Sequence, residues 1–223
     1  MNNDNLTDSI EKEIFNTTSE LTQDYAELAL DTLTSESLLS EIPIVKSLVS
    51  FYNITSSIVD RHNVKKILTF LDQFHSNKID ENKLVSFKQK FSENTKHRNQ
   101  VLETILILNE KFIDIKKSKI LANLFSAHID GNLTWEEFLK ISFILRNLNP
   151  AGYRFLEKSV LEKDIAQVND RTKIMMGMTE YIEGEALLLA CGAGSKFEQR
   201  FLPTKTGIKL YEYGLKPLNE HSA

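Results

Sequence analysis

Apolar residues recur every three to four positions along most of this chain, and these stripes predict a series of amphipathic helices. The clearest run is Val64 to Phe74, where Ile67, Leu68, Leu71 and Phe74 fall on one side. Asp80 is placed to cap a helix through Phe91, and Leu102, Ile105, Leu106 and Leu108 mark another that begins in or after the polar stretch from Ser92 to Gln100. Lys117 to Ile129 reads as a helix closed by Asp130 and Gly131. Thr134 and Glu137 then form a capping-box pattern ahead of a helix that stops at Asn149 and Pro150. Weaker stripes predict helices over residues 18–33, 153–160, 172–181 and 183–190. The first twenty residues, rich in Asn, Thr and Ser, are expected to fray. Near the C-terminus Gly192 and Gly194 break the pattern, a hairpin is expected over Lys196 to Leu202, and a last short helix over Thr204 to Leu215.

Residues 42–59, IPIVKSLVSFYNITSSIV, break the usual surface-helix pattern, because Lys46 is the one charge among them. Pro43 suits a first helical turn, where its missing N–H is no loss. Ile44, Val45, Leu48, Val49, Tyr52, Ile58 and Val59 would form a broad apolar stripe. Ser47, Ser50, Thr55 and Ser56 stand where an ordinary surface helix carries Lys and Glu. Two readings follow. Such a helix is either buried on nearly all sides by its neighbours, or stored there and released into a bilayer, where small hydroxyl residues allow close packing and a single lysine can snorkel.

Composition fits the helical picture. Eight Gly and four Pro in 223 residues leave long uninterrupted segments. The single cysteine, Cys191, excludes an intramolecular disulfide and fits a reducing compartment. The polar, acidic N-terminus is unlike a secretion signal, so a cytoplasmic protein is expected, associating with membrane only on activation. The net charge of −4 is unevenly spread: residues 1–41 hold ten acids and one base, Lys12, for −9, which leaves +5 elsewhere. This reads as an acidic arm beside a mildly basic body, or as a solvated acidic helix face. Three parts are expected: the acidic arm with its first helix (1–41), a central bundle (42–150) and a C-terminal segment (151–223).

No recognised pattern for catalysis emerges. The second half of a calcium loop is matched by Asp130, Gly131, Leu133 and Glu137, but Ser126 and His128 stand where its first carboxylates belong. A helix stop followed by a capping box explains the same residues. His62, His75, His97, His128 and His221 show no ligand spacing, and neither a phosphate-binding glycine loop nor a nucleophile elbow is present. The expectation is a non-enzyme with no metal, cofactor or small-molecule substrate. KKIL followed by Leu71 and His75 is echoed 53 residues later by SKIL, Leu124 and His128, which leaves a duplicated helical hairpin open.

Three resemblances add to this reading. LANLFSAHIDGNLTWEEFLKI resembles the helix–turn–helix signature of TerB-like tellurite-resistance domains; of that family's paired acids only Asp130 and Glu136 or Glu137 are present, so no metal chemistry carries over. LLLACGAG followed by RFLPTKTGIKLYEYGL resembles the end of a winged-helix domain, with Thr204 and Gly207 filling its Thr-x-x-Gly step. On that resemblance Lys196, Arg200, Lys205 and Lys209 are candidate nucleic-acid contacts, although the face is sparsely basic. The stretch from Ala29 to Leu71, with Ile42, Pro43, Ile44 and Val45, then Ser57, Ile58 and Asp60, then Lys65 and Lys66, resembles a set of uncharacterised bacterial proteins of prophages and anti-phage islands.

The fold expected is therefore all-α, a multi-helix bundle with a small winged-helix-like β-hairpin near the C-terminus. The function expected is a non-enzymatic defence or stress protein that senses a protein partner, in the phage-conflict setting a phage-encoded one. It would self-associate as a homo-oligomer and expose helix 42–59 to disrupt the membrane. The alternative is a winged-helix nucleic-acid-binding regulator.

Overall fold

A computed structural model describes residues 3–16, 43–52, 58–162, 188–191 and 200–220. It divides into two compact units, Met1–Leu133 and Thr134–Ala223. The described chain is mostly helical.

The first unit holds six described helices: α1 (Asn3–Asn16), α2 (Pro43–Tyr52), α3 (Ile58–Ser76), α4 (Glu81–Glu93), α5 (Thr95–Lys111) and α6 (Lys116–Ile129). Their polar–apolar pattern decides which faces meet. On α3 the expected stripe, Ile67, Leu68, Leu71 and Phe74, is buried, and α3 packs most extensively against α6, which contributes Ile120, Leu121, Leu124 and Phe125. Burying each such side chain is worth about 1.5–3 kcal/mol, so this helix pair anchors the unit. An aromatic cluster extends from it: Phe70 and Phe74 meet Phe125, Phe125 meets Phe87 of α4, and Phe87 meets Phe91 at 4.8 Å.

Helix ends follow local chemistry. Asp80 accepts from the Lys83 N–H and Asn94 from the His97 N–H, so the polar stretch after Phe91 is a cap and a helix start. At the end of α6 the Asn132 N–H reaches the Ala127 carbonyl and the Gly131 N–H the His128 carbonyl, with Gly131 at φ 75°. This is a Schellman stop, which requires the left-handed backbone that glycine adopts without strain. The calcium-loop half-match is thus a helix terminator joined to a cap.

Two expectations for this unit are corrected. The N-terminal residues do not fray over Asn3–Asn16, where Leu6, Ile10 and Ile14, four apart, are buried. Packing against α2, α3 and α5 outweighs the weak helix propensity of the Asn and Thr residues. The apolar stripe expected over residues 42–59 is also not buried along its whole length. α2 ends at Tyr52, and Ile58 and Val59 open α3, exposed at 81% and 67%.

The second unit begins with the capping box. Thr134 accepts from the Glu137 N–H while Glu137 accepts from the Thr134 N–H, starting α7 (Trp135–Asn147). Asn149 and Pro150 end that helix and start the next: the Asn149 side chain accepts from the Gly152 N–H, and Pro150 opens α8 (Pro150–Glu162). Strands β1 (Leu188–Cys191) and β2 (Arg200–Pro203) pair antiparallel, Leu189 opposite Leu202. The hairpin expected within Lys196 to Leu202 is not seen in that form, since β2 pairs with residues expected to be helical. A short apolar run such as LLAC carries no period that separates strand from helix. Thr204 caps α9 (Lys205–Leu210) by accepting from the Gly207 N–H, and a π-helical turn (Tyr211–Leu215) leads into α10 (Lys216–Glu220). The helices expected over 18–33 and 172–181, and most of 183–190, lie outside the described residues.

Candidate functional site

Helix α2 is ten residues with one charge, and its position decides what it can do. Ile44 and Leu48, four apart on one face, are completely buried, whereas Lys46 and Ser50 are exposed. The helix packs chiefly against α1 and also against α3. Of the other stripe residues, Val45, Val49 and Tyr52 lie on α2 but their side chains are outside the description, and Ile58 and Val59 belong to the exposed start of α3.

Helix α1 is in turn held at named points. Ser9 and Ser47 share a hydrogen bond of 2.7 Å between α1 and α2. Arg98, in the first turn of α5, pairs with Asp8 and lies 3.0 Å from Glu11. Phe15, in the last turn of α1, packs edge-on against Phe91 at 5.4 Å and against Phe87 at 6.1 Å. His75 of α3 bonds the backbone of Glu13. Part of the acidic arm is therefore folded onto the body by a specific arginine. Surface pairs of this kind are worth little individually, and the apolar contacts carry most of the attachment.

A second polar feature lies on α3. The Lys66 ammonium donates to the carbonyls of Glu110 (2.8 Å) and Phe112 (2.7 Å), where α5 ends, and the residue is 1% exposed. One turn earlier, the His62 imidazole bonds the Ile113 carbonyl at 3.0 Å. Burial pulls the Lys66 ammonium down to about 8, with Glu110 opposing. A cation on the exposed carbonyls of a helix C-terminus is favourable electrostatics, so Lys66 fastens the α5–α6 turn to α3. Two of its three donors are engaged and it is shielded from solvent, an arrangement suited to holding these elements together.

Of the candidate nucleic-acid contacts in the second unit, Lys205 and Lys209 have described side chains. Lys205 is exposed in the first turn of α9, and Lys209 is paired with Glu137. Arg200 lies on β2, and Lys196 falls outside the described residues. The Lys209 ammonium, followed by the Thr134 cap, holds the Glu137 carboxyl below its usual value, so Lys209 is half of a local ion pair.

Among the described residues no three His, Cys, Asp or Glu side chains gather as a metal site. Among the same residues no helix is long and apolar enough to cross a membrane. Sequence patterning singled out α2 but missed the groups that hold it, Ser9, Phe15, His75 and Arg98. The spacing of Leu6, Ile10 and Ile14 was the available signal. No family model matches this chain, no curated protein matches it, and no solved structure matches it.

Proposed function

We propose that this chain is a non-enzymatic bacterial defence or stress protein whose effector element, α2, is stored in a helical bundle until a protein partner opens it. The observation that carries the reading is the complete burial of Ile44 and Leu48 on a helix with a single charge, packed chiefly against α1. Helix α1 is polar enough to leave the body without aggregating and offers a partner an acidic face to engage. Once α1 is displaced, α2 presents an apolar face to other copies of the chain and to lipid. Ten residues of helix rise ~15 Å against the ~30 Å hydrocarbon core of a bilayer, so the membrane action is interfacial insertion, amplified by self-association. The resemblance to proteins of prophages and anti-phage islands supplies the defence setting and makes a phage-encoded partner the trigger to seek.

Dye-loaded liposomes mixed with the purified protein, with and without phage-infected lysate, test this directly. Leakage that requires lysate and is lost in a folded Leu48→Asp variant supports it. Equal leakage by that variant removes α2 as the effector.

A second reading has one observation in its favour. An antiparallel strand pair followed directly by the Thr204-capped helix, with Lys205 exposed at its start, is compatible with a winged-helix-like element and nucleic-acid contact. The Glu137–Lys209 pair weighs against it, because it removes one of few cations. Salt-dependent binding to duplex DNA that falls in Lys205→Glu would favour this reading, and no binding at low salt would end it.

A further inference from the structure

Helix α1 is seated by contacts that run across to other elements. Leu6, Ile10 and Ile14 recur every four residues and are buried, while Asp8 and Glu11, three apart, both reach Arg98 of α5. Ser9 meets Ser47 of α2, and Phe15 meets Phe87 and Phe91 of α4. None of these contacts uses the residues that follow Asn16. A lone helix of 14 residues is marginal in water, so α1 takes its shape on this seat. The seat recognises a spacing of aliphatic, acidic and aromatic side chains, whichever copy of the chain supplies it.

We propose that this seat is also the interface between two copies of the chain, each placing its α1 on the α2, α4 and α5 of the other. Residues 17–42 join α1 to α2, and a chain of that length reaches on the order of 90 Å when extended. A compact unit the size of Met1–Leu133 is roughly 35 Å across, so the connection is long enough to deliver α1 to a neighbour. Charge sets the specificity. Arg98 takes two carboxylates one turn apart, and the α1 of a second copy supplies them in register with its aliphatic stripe and with Phe15.

The closed and exchanged forms share the same side-chain contacts, so the entropy of the connection is what separates them. A tether of this length holds α1 near its own seat at an effective concentration in the millimolar range. Dilute chains therefore stay closed, and copies gathered to a similar local concentration exchange. The exchange specifies the contact behind the proposed self-association: the face that α2 presents to other copies is met by their α1. It rests on that reading only for what gathers the copies. Its test uses neither trigger nor lipid, so its failure leaves the membrane step standing, and an absence of leakage leaves the exchange standing.

The 2.7 Å approach of Ser9 to Ser47 supplies the test, because thiols at these two positions lie within reach of a disulfide. Two full-length chains, both Cys191→Ala, carry Ser9→Cys in one and Ser47→Cys in the other. They are mixed at about 1 mM and at about 10 μM, then mildly oxidised. The expected product at the higher concentration is the mixed disulfide dimer, in about tenfold excess over either symmetric dimer and falling on dilution. Mixed and symmetric dimers in the proportions of random collision overturn the exchange. If the cysteine variants fail to fold, Arg98→Glu mixed with Asp8→Arg/Glu11→Arg decides, since each is mispaired within its own chain and matched across two. A heterodimer in sedimentation that neither variant forms alone supports the exchange, and monomers alone overturn it.

Discussion

Ser9 on α1 and Ser47 on α2 face each other through a hydrogen bond of 2.7 Å, joining segments that lie 38 positions apart in the chain. The pair is part-buried and links α2 to the helix it packs against most. Removing either hydroxyl takes this hydrogen bond from the other. Ser9→Ala and Ser47→Ala are each expected to cost about 0.5–1.5 kcal/mol, with a double variant costing less than their sum. Urea unfolding of the four proteins in the cycle measures this, and strict additivity would show that the hydroxyls do not interact.

The low-charge segment divides into a buried part and an exposed part, and the two should respond differently. Leu48→Ala empties a fully buried position and is expected to cost about 2–5 kcal/mol. Ile58→Ser and Val59→Ser, at exposed sites on α3, should stay within about 0.5 kcal/mol. Denaturant midpoints for the three variants check the contrast, and a large loss at Ile58 would contradict the exposed start of α3.

Lys66 makes stability respond to alkali. Its ammonium is held at about 8 when folded and returns to its ordinary value near 10.5 when unfolded. Between these values the unfolded chain binds more protons, so this group's contribution makes the fold more stable as the pH rises from about 8 toward 10. Lys66→Met should lose that slope and also lose stability at neutral pH, because the Glu110 and Phe112 carbonyls forfeit their donor. Unfolding midpoints at pH 7.5 and 9.5 for both proteins provide the test, and an identical pH response would show that Lys66 is not the responsible group.

The cap of α7 gives an opposite dependence. Glu137 is held below its usual value by Lys209 and then by Thr134, so its contribution is present above pH ~4.5 and fades as acid protonates it. Glu137→Gln should flatten the response between pH 5 and 3, and Thr134→Ala should cost about 1 kcal/mol through loss of the cap. Thermal melts across that range report both. An unaltered acid response in Glu137→Gln would place the dependence elsewhere.

How much of this could be read from the residues depended on whether a local rule and a tertiary contact agreed. Helices α3, α4, α6 and α7 were legible because their stripes are wide and Asp80, Thr134 and Gly131 punctuate them chemically. Helix α1 was missed because three well-spaced aliphatics are scattered among Asn, Asp and Thr, and only packing shows that they suffice. The place of Lys66 was not legible, since a buried lysine announces itself only through carbonyls that come from residues 44 and 46 positions further along the chain. The strand at Leu188–Cys191 was hidden in an apolar run too short to carry a period. The candidate site was legible as a composition anomaly at residues 42–59, but not the side chains that restrain it.

The burial of Lys66 has a practical consequence. Amine-acylating reagents reach exposed lysines such as Lys78, Lys90 and Lys205 whether or not the first unit is closed. Lys66 is shielded from them while its Nζ remains between the Glu110 and Phe112 carbonyls. Its labelling therefore counts the molecules in which α3 has parted from the end of α5. The chain thus carries a native reporter of deep opening, readable by mass spectrometry in intact cells without an added probe.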